Sequence, residues 1–323
     1  MAKKSKKYSK KINIVIAFII LLIIWIIFNS TFTKSLATNI KTKAEQIAVQ
    51  IRDEINSTMH EDTSDKSKSI YTNLGDLKVF FIDVGQADSI LIVEDNEAML
   101  IDAGNNDDGK EVVEFIKNEG IEQIKYAIGT HAHEDHIGGL DDVIDSIEID
   151  NLLMPETQTN TKTYEDVIDS AGEKELEIKN PKKEEKFSVG DAICEIMTDE
   201  IKDKKNLNES SIIIRMTYGN ESFLFMGDAE VENEATRQWP ETDVLKVGHH
   251  GSNTSSSERF LKQVNPKIAI IMVGKNNTYK LPKDIILERI QKLGTTIYRT
   301  DIDGNILISS DGNSIEVFTK YEK

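Results

Sequence analysis

Apolar residues fill positions Ile12 to Phe28 with Asn13 as the sole interruption, and six lysines between Lys3 and Lys11 stand directly before them. A run of 17 residues is at the short end for a membrane-spanning helix but longer than most signal-peptide cores. It predicts an uncleaved transmembrane anchor over 12–28, with 1–11 as a cytoplasmic basic tail and the rest of the chain exported, a single-pass protein of the cell membrane. The alternative is a cleaved signal peptide, for which Ser35-Leu36-Ala37 is a cleavage-like triplet, although it sits well past the apolar run. A buried core helix fits poorly, because no face of the run is polar after Asn13. Over 29–76 the composition turns to Ser, Thr, Lys and acids. There Ile40, Ala44, Ile47, Ile51 and Ile55 recur at three- to four-residue spacing, which predicts a stalk helix too short to claim as a coiled coil, followed by a solvated linker around 61–69 that leaves His60 in solvent.

From residue 77 the pattern becomes that of a layered domain. Apolar and β-branched runs at Lys78–Val84, Asp88–Val93 and Ala98–Asp102 predict consecutive antiparallel strands. A helix follows at Lys110–Asn118, with Val112, Val113, Phe115 and Ile116 on its apolar side, and then a short strand at Tyr126–Gly129. A strand at Ala192–Met197 and a hairpin of Ser211–Tyr218 and Ser222–Met226 across Gly219-Asn220 come next. The remainder alternates: strand Val244–Val247, helix Ser256–Gln263, strand Ile268–Val273, helix Lys283–Lys292, and strands at Thr296–Tyr298, Asn305–Ile308 and Ser314–Phe318. Sheets covered by helices, an α/β or α+β layered domain over 77–323, are the expected class.

Charge and cysteine content narrow the function. The chain of 323 residues has a net charge of −17 and one cysteine, Cys194. It can build no intramolecular disulfide and no cysteine metal cluster, so any metal must be held by His and carboxylates. Residues 1–76 hold 12 bases and 7 acids, which leaves 27 bases and 49 acids, a net of −22, for 77–323. Such a domain repels phosphate backbones in general and needs local help, such as a metal ion, to take a polyanion. The lysine runs at Lys182–Lys186 and Lys202–Lys205 read as solvated loops, since acids flank or intersperse them. Cys194, inside an apolar strand, reads as a small core residue.

Five of the six histidines fall in two short motifs, each just after an apolar strand. His131, His133 and His136 lie in Thr130-His-Ala-His-Glu-Asp-His-Ile-Gly-Gly139, and His249-His250 follow Val244–Val247. In extended chain, residues two apart face one side, so His131 and His133 present two imidazoles to one point. Asp135 and His136 open the turn or helix beyond, within reach of a second ion. Packing explains a lone core histidine but not three in six residues with an aspartate among them, so the motif predicts metal binding. Gly138-Gly139 would let the chain pass close to this loop.

His-x-His-x-Asp-His after a strand resembles the metal motif of the metallo-β-lactamase superfamily, and the resemblance covers most of 77–323. Asp102 in Leu100-Ile-Asp-Ala-Gly-Asn105 is similar to the carboxylate that supports the histidine loop. Asp228 in Phe225-Met-Gly-Asp-Ala229 is similar to the aspartate that bridges two metals, and His249-His250-Gly251-Ser252 to the late histidine motif. More narrowly, Phe81-Ile-Asp-Val-Gly-Gln-Ala-Asp-Ser89, Asn208–Ser211 and Leu245-Lys-Val-Gly-His-His-Gly-Ser252 resemble the hydrolase domain of ComEC-type DNA-uptake competence proteins. The implied fold of 77–323 is an αββα sandwich, preceded by the one transmembrane helix that the apolar run predicts over 12–28.

The implied chemistry is metal-assisted hydrolysis with one or two divalent ions, zinc first and manganese second. The ligand set implied is His131, His133, Asp135, His136, Asp228 and His249 or His250; Asp135, Asp228 and His249 are the expected catalytic residues. A metal-bound water, its pKa lowered from about 15.7 towards roughly 7, supplies the hydroxide. No histidine lies between His136 and His249, where the superfamily often supplies another ligand, so the first site is short by one and the centre could be effectively mononuclear. Asp83 is expected to bond amides of the histidine loop, and Ser252 and Asn253 either touch a phosphate or simply turn the chain. One apolar segment cannot form a multispanning channel, so DNA transport is not carried over. The favoured activity is an anchored phosphodiesterase or nuclease, acting on DNA or on a small diester. The alternatives are a hydrolase of phosphocholine esters, lactones or thioesters, and a non-catalytic metal-binding module.

Overall fold

The structure, a computed structural model, describes residues 74–157, 159–198 and 206–322. The expected tail, anchor and nearly all of the stalk (1–73), and the Lys202–Lys205 run, lie outside the described residues. Among the described residues no helix is long and apolar enough to cross a membrane.

The strands in chain order are β1 (Leu77–Phe81), β2 (Ser89–Glu94), β3 (Glu97–Ala103), β4 (Gln123–Ile124), β5 (Tyr126–Ile128), β6 (Glu148–Ile149), β7 (Leu152–Leu153) and β8 (Ile178–Lys179). They continue as β9 (Lys186–Val189), β10 (Ala192–Ile196), β11 (Ile214–Tyr218), β12 (Glu221–Phe225), β13 (Val244–Lys246) and β14 (Ile268–Ile271). The last three are β15 (Thr296–Arg299), β16 (Ile306–Ser310) and β17 (Ile315–Thr319). One large sheet has the order β17-β16-β1-β2-β3-β5-β7-β8 and a second β15-β14-β13-β12-β11-β10-β9, while β4 and β6 pair in a small two-stranded sheet.

The two sheets bury facing sides against each other because their strands alternate. Leu77, Val79 and Phe81 of β1 share one core with Ile214 and Met216 of β11 and Phe223 and Phe225 of β12. The intervening residues face outward onto helices: Phe80 stacks edge-on against Phe115 of helix Gly109–Asn118 at 5.5 Å. Leu224 and Leu245 join a second core with Phe260, Leu261, Ile286 and Ile290 of helices Glu258–Val264 and Asp284–Gln291. The result is the expected mixed layered sandwich. Fully burying each such side chain is worth about 1.5–3 kcal/mol. Cys194 is part of the inner core, and burial pushes its thiol up to about 12.

Strand direction sets where chemistry can sit. In the first sheet β2 and β3 are antiparallel and β3 and β5 parallel; in the second β11 and β12 are antiparallel and β12 and β13 parallel. At each change of direction the carboxyl ends of neighbouring strands open onto the same edge, the position where open α/β sheets bind ligands. Asp102 lies at the end of β3, and His131 follows β5. Asp228 follows β12, and His249-His250 follow β13. The Gly138-Gly139 expectation holds: a Cβ on Gly138 would lie 2.3 Å from the Asn105 carbonyl carbon, and one on Gly139 2.4 Å from the Gly109 Cα.

Candidate metal centre

The segment after β5 leaves the sheet as Thr130-His131-Ala132-His133 and turns into a short helix, Glu134–Ile137. The i, i+2 geometry places His131 Nε2 3.0 Å from His133 Nδ1, so the two imidazoles do converge. The helix swings Asp135 and His136 inward. From the second sheet, Gly227 turns the chain after β12 at a φ of +52°, and Asp228 enters the gap with 2% of its surface exposed.

Asp135, His136, Asp228 and His250 form one cluster, their ligand atoms all within 4.8 Å of one another. His136 Nε2 lies 3.2 Å from Asp228 Oδ1, His250 Nε2 3.3 Å from Asp135 Oδ2, and His250 Nε2 3.6 Å from Asp228 Oδ2. Tetrahedral ligands held at about 2.0–2.2 Å from a zinc ion stand about 3.3–3.6 Å apart, so the spacing fits one ion. The buried atoms His136 Nε2, His250 Nε2 and Asp228 Oδ1 have no hydrogen-bond partner, which in a folded interior marks atoms reserved for something else. The donor set of two imidazoles and two carboxylates suits zinc and manganese alike.

Outer contacts fix these ligands. Asp102 accepts from His136 Nδ1 at 2.7 Å and from the Thr130 amide and hydroxyl at 2.7 and 2.8 Å. It thereby ties the ligand ring to the loop that carries His131, as the resemblance implied. His250 Nδ1 bonds the Met272 carbonyl oxygen at 2.9 Å, which turns Nε2 towards the cluster. Ser211 Oγ accepts from the Asp228 amide at 3.1 Å and stands 3.5 Å from His131 Nδ1, so the Asn208–Ser211 segment braces both histidine loop and aspartate.

The two adjacent histidines separate cleanly. His249 and His250 both take left-handed conformations, φ +50° each, so the alternation of the preceding strand no longer applies. His250 is buried among the ligands, while His249 stands at the rim with its side chain 24% exposed. Its Nδ1 faces Glu230 Oε1 at 3.2 Å and Thr254 Oγ1 at 3.0 Å, and its Nε2 lies 3.6 Å from Asp228 Oδ2. His131, His133 and His249 therefore surround the cluster without entering it.

Charge in the cluster follows from burial and neighbours. Burial holds His131 well below the ordinary histidine range, with the neighbouring His136 adding to the effect, and burial lowers His133 too. Burial also opposes charge on His136, but Asp228 and Asp102 outweigh it and raise that ring well above the usual value. For His250 the same opposition is overcome by Asp228 and Asp88, and its value is raised to about 10. Desolvation would raise Asp228, yet His136 and His250 hold it well below the carboxylate range; Asp135 is lowered for like reasons. Asp102, whose burial dominates, is raised.

Three residues with no role assigned from sequence complete the setting. Asp88 is buried beneath the cluster, 3.4 Å from His250 Nδ1 and 3.8 Å from His136 Nδ1, and pairs with the buried Lys246 ammonium. Lys246 also donates to the Gly227 carbonyl at 3.2 Å. Glu230, the third, holds His249. A lysine inside the apolar strand Val244-Leu-Lys-Val247 was the available clue to the first pair. Asp83 differs from expectation: it accepts from the Gly85 amide at 3.3 Å, within its own turn, because β1 ends at Phe81 and the chain bends there before reaching the histidine loop. Ser252 bonds Thr254 in a turn.

Comparison with known proteins agrees with this geometry. The sequence model of the Metallo-beta-lactamase superfamily matches residues 82–275. ComE operon protein 3 of Bacillus subtilis is 32% identical over 71% of this chain and 32% of its own length. Recombination protein 2 of Haemophilus influenzae is 28% identical over 73% and 29%, and Competence protein ComA of Neisseria gonorrhoeae 27% identical over 69% and 30%. The chain thus spans about a third of the length of these relatives. Among solved structures, the CmlA beta-hydroxylase aligns with a TM-score of 0.50 at 13% identity over 80% of this chain and 59% of its own, a likeness of fold alone.

Proposed function

Because the chain belongs to the metallo-beta-lactamase superfamily, we propose that its hydrolase domain, 77–323, cleaves phosphodiesters, as a phosphodiesterase or nuclease that uses one or two divalent ions. The observation that carries the reading is the set of unpartnered, buried ligand atoms on His136, Asp228 and His250, joined by Asp135 at the open side. Zinc is the first expectation and manganese the second. An ion bound there supplies Lewis acidity towards a phosphoryl oxygen and a water of lowered pKa. The protein's own contribution is orientation: Asp102 holds His136, Met272 holds His250, and Glu230 aims His249 at the rim, where it can meet the leaving group. His131 and His133 converge on the other position, the one left short of a histidine, so an ion binds there more weakly than in the buried cluster, which fills first.

Phosphodiesters are favoured over phosphocholine esters, lactones and thioesters because two of the relatives, a recombination protein and a competence protein, carry work on DNA in their names. The segment 12–28 serves as the anchor and places the hydrolase outside the cytoplasm, a reading supported by the lysine block before the apolar run. Full-length protein stripped of metal and reloaded with zinc or manganese should hydrolyse a chromogenic phosphodiester or DNA, and an Asp228→Asn variant should not. Hydrolysis of a lactone or thioester in place of every phosphodiester would reject the substrate class. Release of the protein from membranes by a carbonate wash would reject the anchor.

A further inference from the structure

The segment between Glu258 and Asp284 holds six lysines and arginines and no acid, in a domain where acids outnumber bases 49 to 27. Two of those bases are already engaged, Lys262 facing Glu258 at 3.8 Å and Lys267 pairing with Asp243 at 2.7 Å. The loop that follows β14 is different. Lys275 and Lys280 are exposed and face no carboxylate in an ion pair among the described residues, and between them Tyr279 projects with 67% of its surface in solvent.

This loop is built rather than slack. Asn277 Oδ1 accepts from the Leu281 amide at 2.9 Å, and Asn277 Nδ2 donates to the Gly274 and Leu281 carbonyls at 3.0 and 2.8 Å. Lys283 Nζ donates to the Tyr279 carbonyl at 2.6 Å. Both ends are pinned beside the metal cluster: the Gly274 amide donates to Gln86 Oε1 at 3.1 Å, two residues before Asp88, and the Lys283 amide donates to the carbonyl of Gly251, the neighbour of His250, at 3.0 Å.

We propose that the loop Lys275–Lys283 is the contact track for single-stranded nucleic acid, with Tyr279 stacking on a base and Lys275 and Lys280 meeting the flanking phosphates. The inference rests on the phosphodiesterase reading and names its substrate class. An exposed aromatic between unpaired lysines on a pre-ordered loop is the combination that single strands use, since every base offers a π-face and every phosphate a charge. It also supplies the local basic surface that the net acidity of the domain otherwise denies a polyanion. Attachment of the loop to Gly251 favours a substrate of the metal cluster over a membrane surface.

The test uses the full-length chain in detergent with chelator present, and a fluorescein-labelled thymidine 20-mer followed by anisotropy. Tyr279→Ala should weaken binding by at least about fivefold, the lower end of a lost base–aromatic stack. Lys275→Ala and Lys280→Ala should each weaken it and reduce the salt slope by about one. All three, reloaded with metal, should hydrolyse a small chromogenic phosphodiester as the parent does. A parent that fails to bind the 20-mer, or a Tyr279→Ala affinity within twofold of the parent's, overturns the proposal. Absence of diester hydrolysis in the parent rejects the phosphodiesterase reading separately, because binding is scored without catalysis.

Discussion

His136 Nε2 and Asp228 Oδ1 face each other at 3.2 Å in a fully buried gap, one delivered by each half of the sandwich, and neither makes a hydrogen bond. Their mutual charge offsets only part of the cost of burying an imidazole and a carboxylate, and a shared cation offsets more of it. The pairing makes metal binding a bond between the two sheets. Zinc or manganese should therefore raise the melting temperature of the parent, and Asp228→Asn should abolish most of that rise and the bound metal measured after dialysis. An unchanged metal content in the variant would count against the ligand assignment.

Asp102 orients His136 and holds the Thr130 amide at once. Asp102→Asn keeps the size but loses the carboxylate, and it should weaken metal affinity by about 10–100-fold, the usual effect of removing a group that orients a ligand. Chelator competition measures this directly, and an affinity within threefold of the parent's would show that His136 needs no such support.

The adjacent histidines should split by phenotype. His250→Ala should lose metal and hydrolysis together, whereas His249→Ala should keep the first metal and lose mainly turnover. Metal content and kcat measured on the same preparations decide, and the reverse pattern would exchange the two roles.

Lys246 and Asp88 are each about 1% exposed and form an ion pair under the cluster. Removing one partner strands the other charge, so Lys246→Met should destabilise the domain by about 3–5 kcal/mol. The double variant Lys246→Met, Asp88→Leu should recover part of that loss in a denaturant titration. A single variant as stable as the parent would mean that Asp88 is satisfied by His250 and His136 alone.

Without metal, His250 is raised from the ordinary histidine value of 6.5 to about 10 by Asp228 and Asp88 despite its burial. A group raised on folding contributes stability that is complete below its unfolded pKa and is lost as pH climbs through its folded one. The metal-free protein should thus lose stability between about pH 6.5 and 10, and metal binding near neutral pH should release protons, because the ligand ring must be neutral. Denaturant midpoints across that window and proton release in weak buffer check both. A metal-free protein that gains stability with rising pH would contradict the sign.

The periodic parts of this fold were legible in the chain. Val79, Phe81, Phe223 and Phe225 alternate strictly, and the strands they belong to fall where that pattern places them. The two-residue strands β4, β6, β7 and β8 carry too little pattern to see, and helix Lys162–Glu173 buries only Thr163, Val167 and Ala171, a stripe too thin to stand out. In the site, local spacing revealed the convergence of His131 with His133. The choice of His250 over His249 was invisible, because two consecutive left-handed residues break the alternation on which such a reading rests. Asp88 and Lys246 were hidden for another reason: their pairing spans much of the chain, and although a lysine inside an apolar strand is unusual, nothing local names its partner.

The most direct test of the central claim is one titration of metal-stripped, full-length protein with zinc or manganese, following bound metal and hydrolysis of a phosphodiester together, beside Asp228→Asn. The account predicts hydrolysis that rises with the first equivalent bound and is absent from the variant. Metal bound in the parent with no phosphodiester cleaved, or equal cleavage by Asp228→Asn, would contradict it.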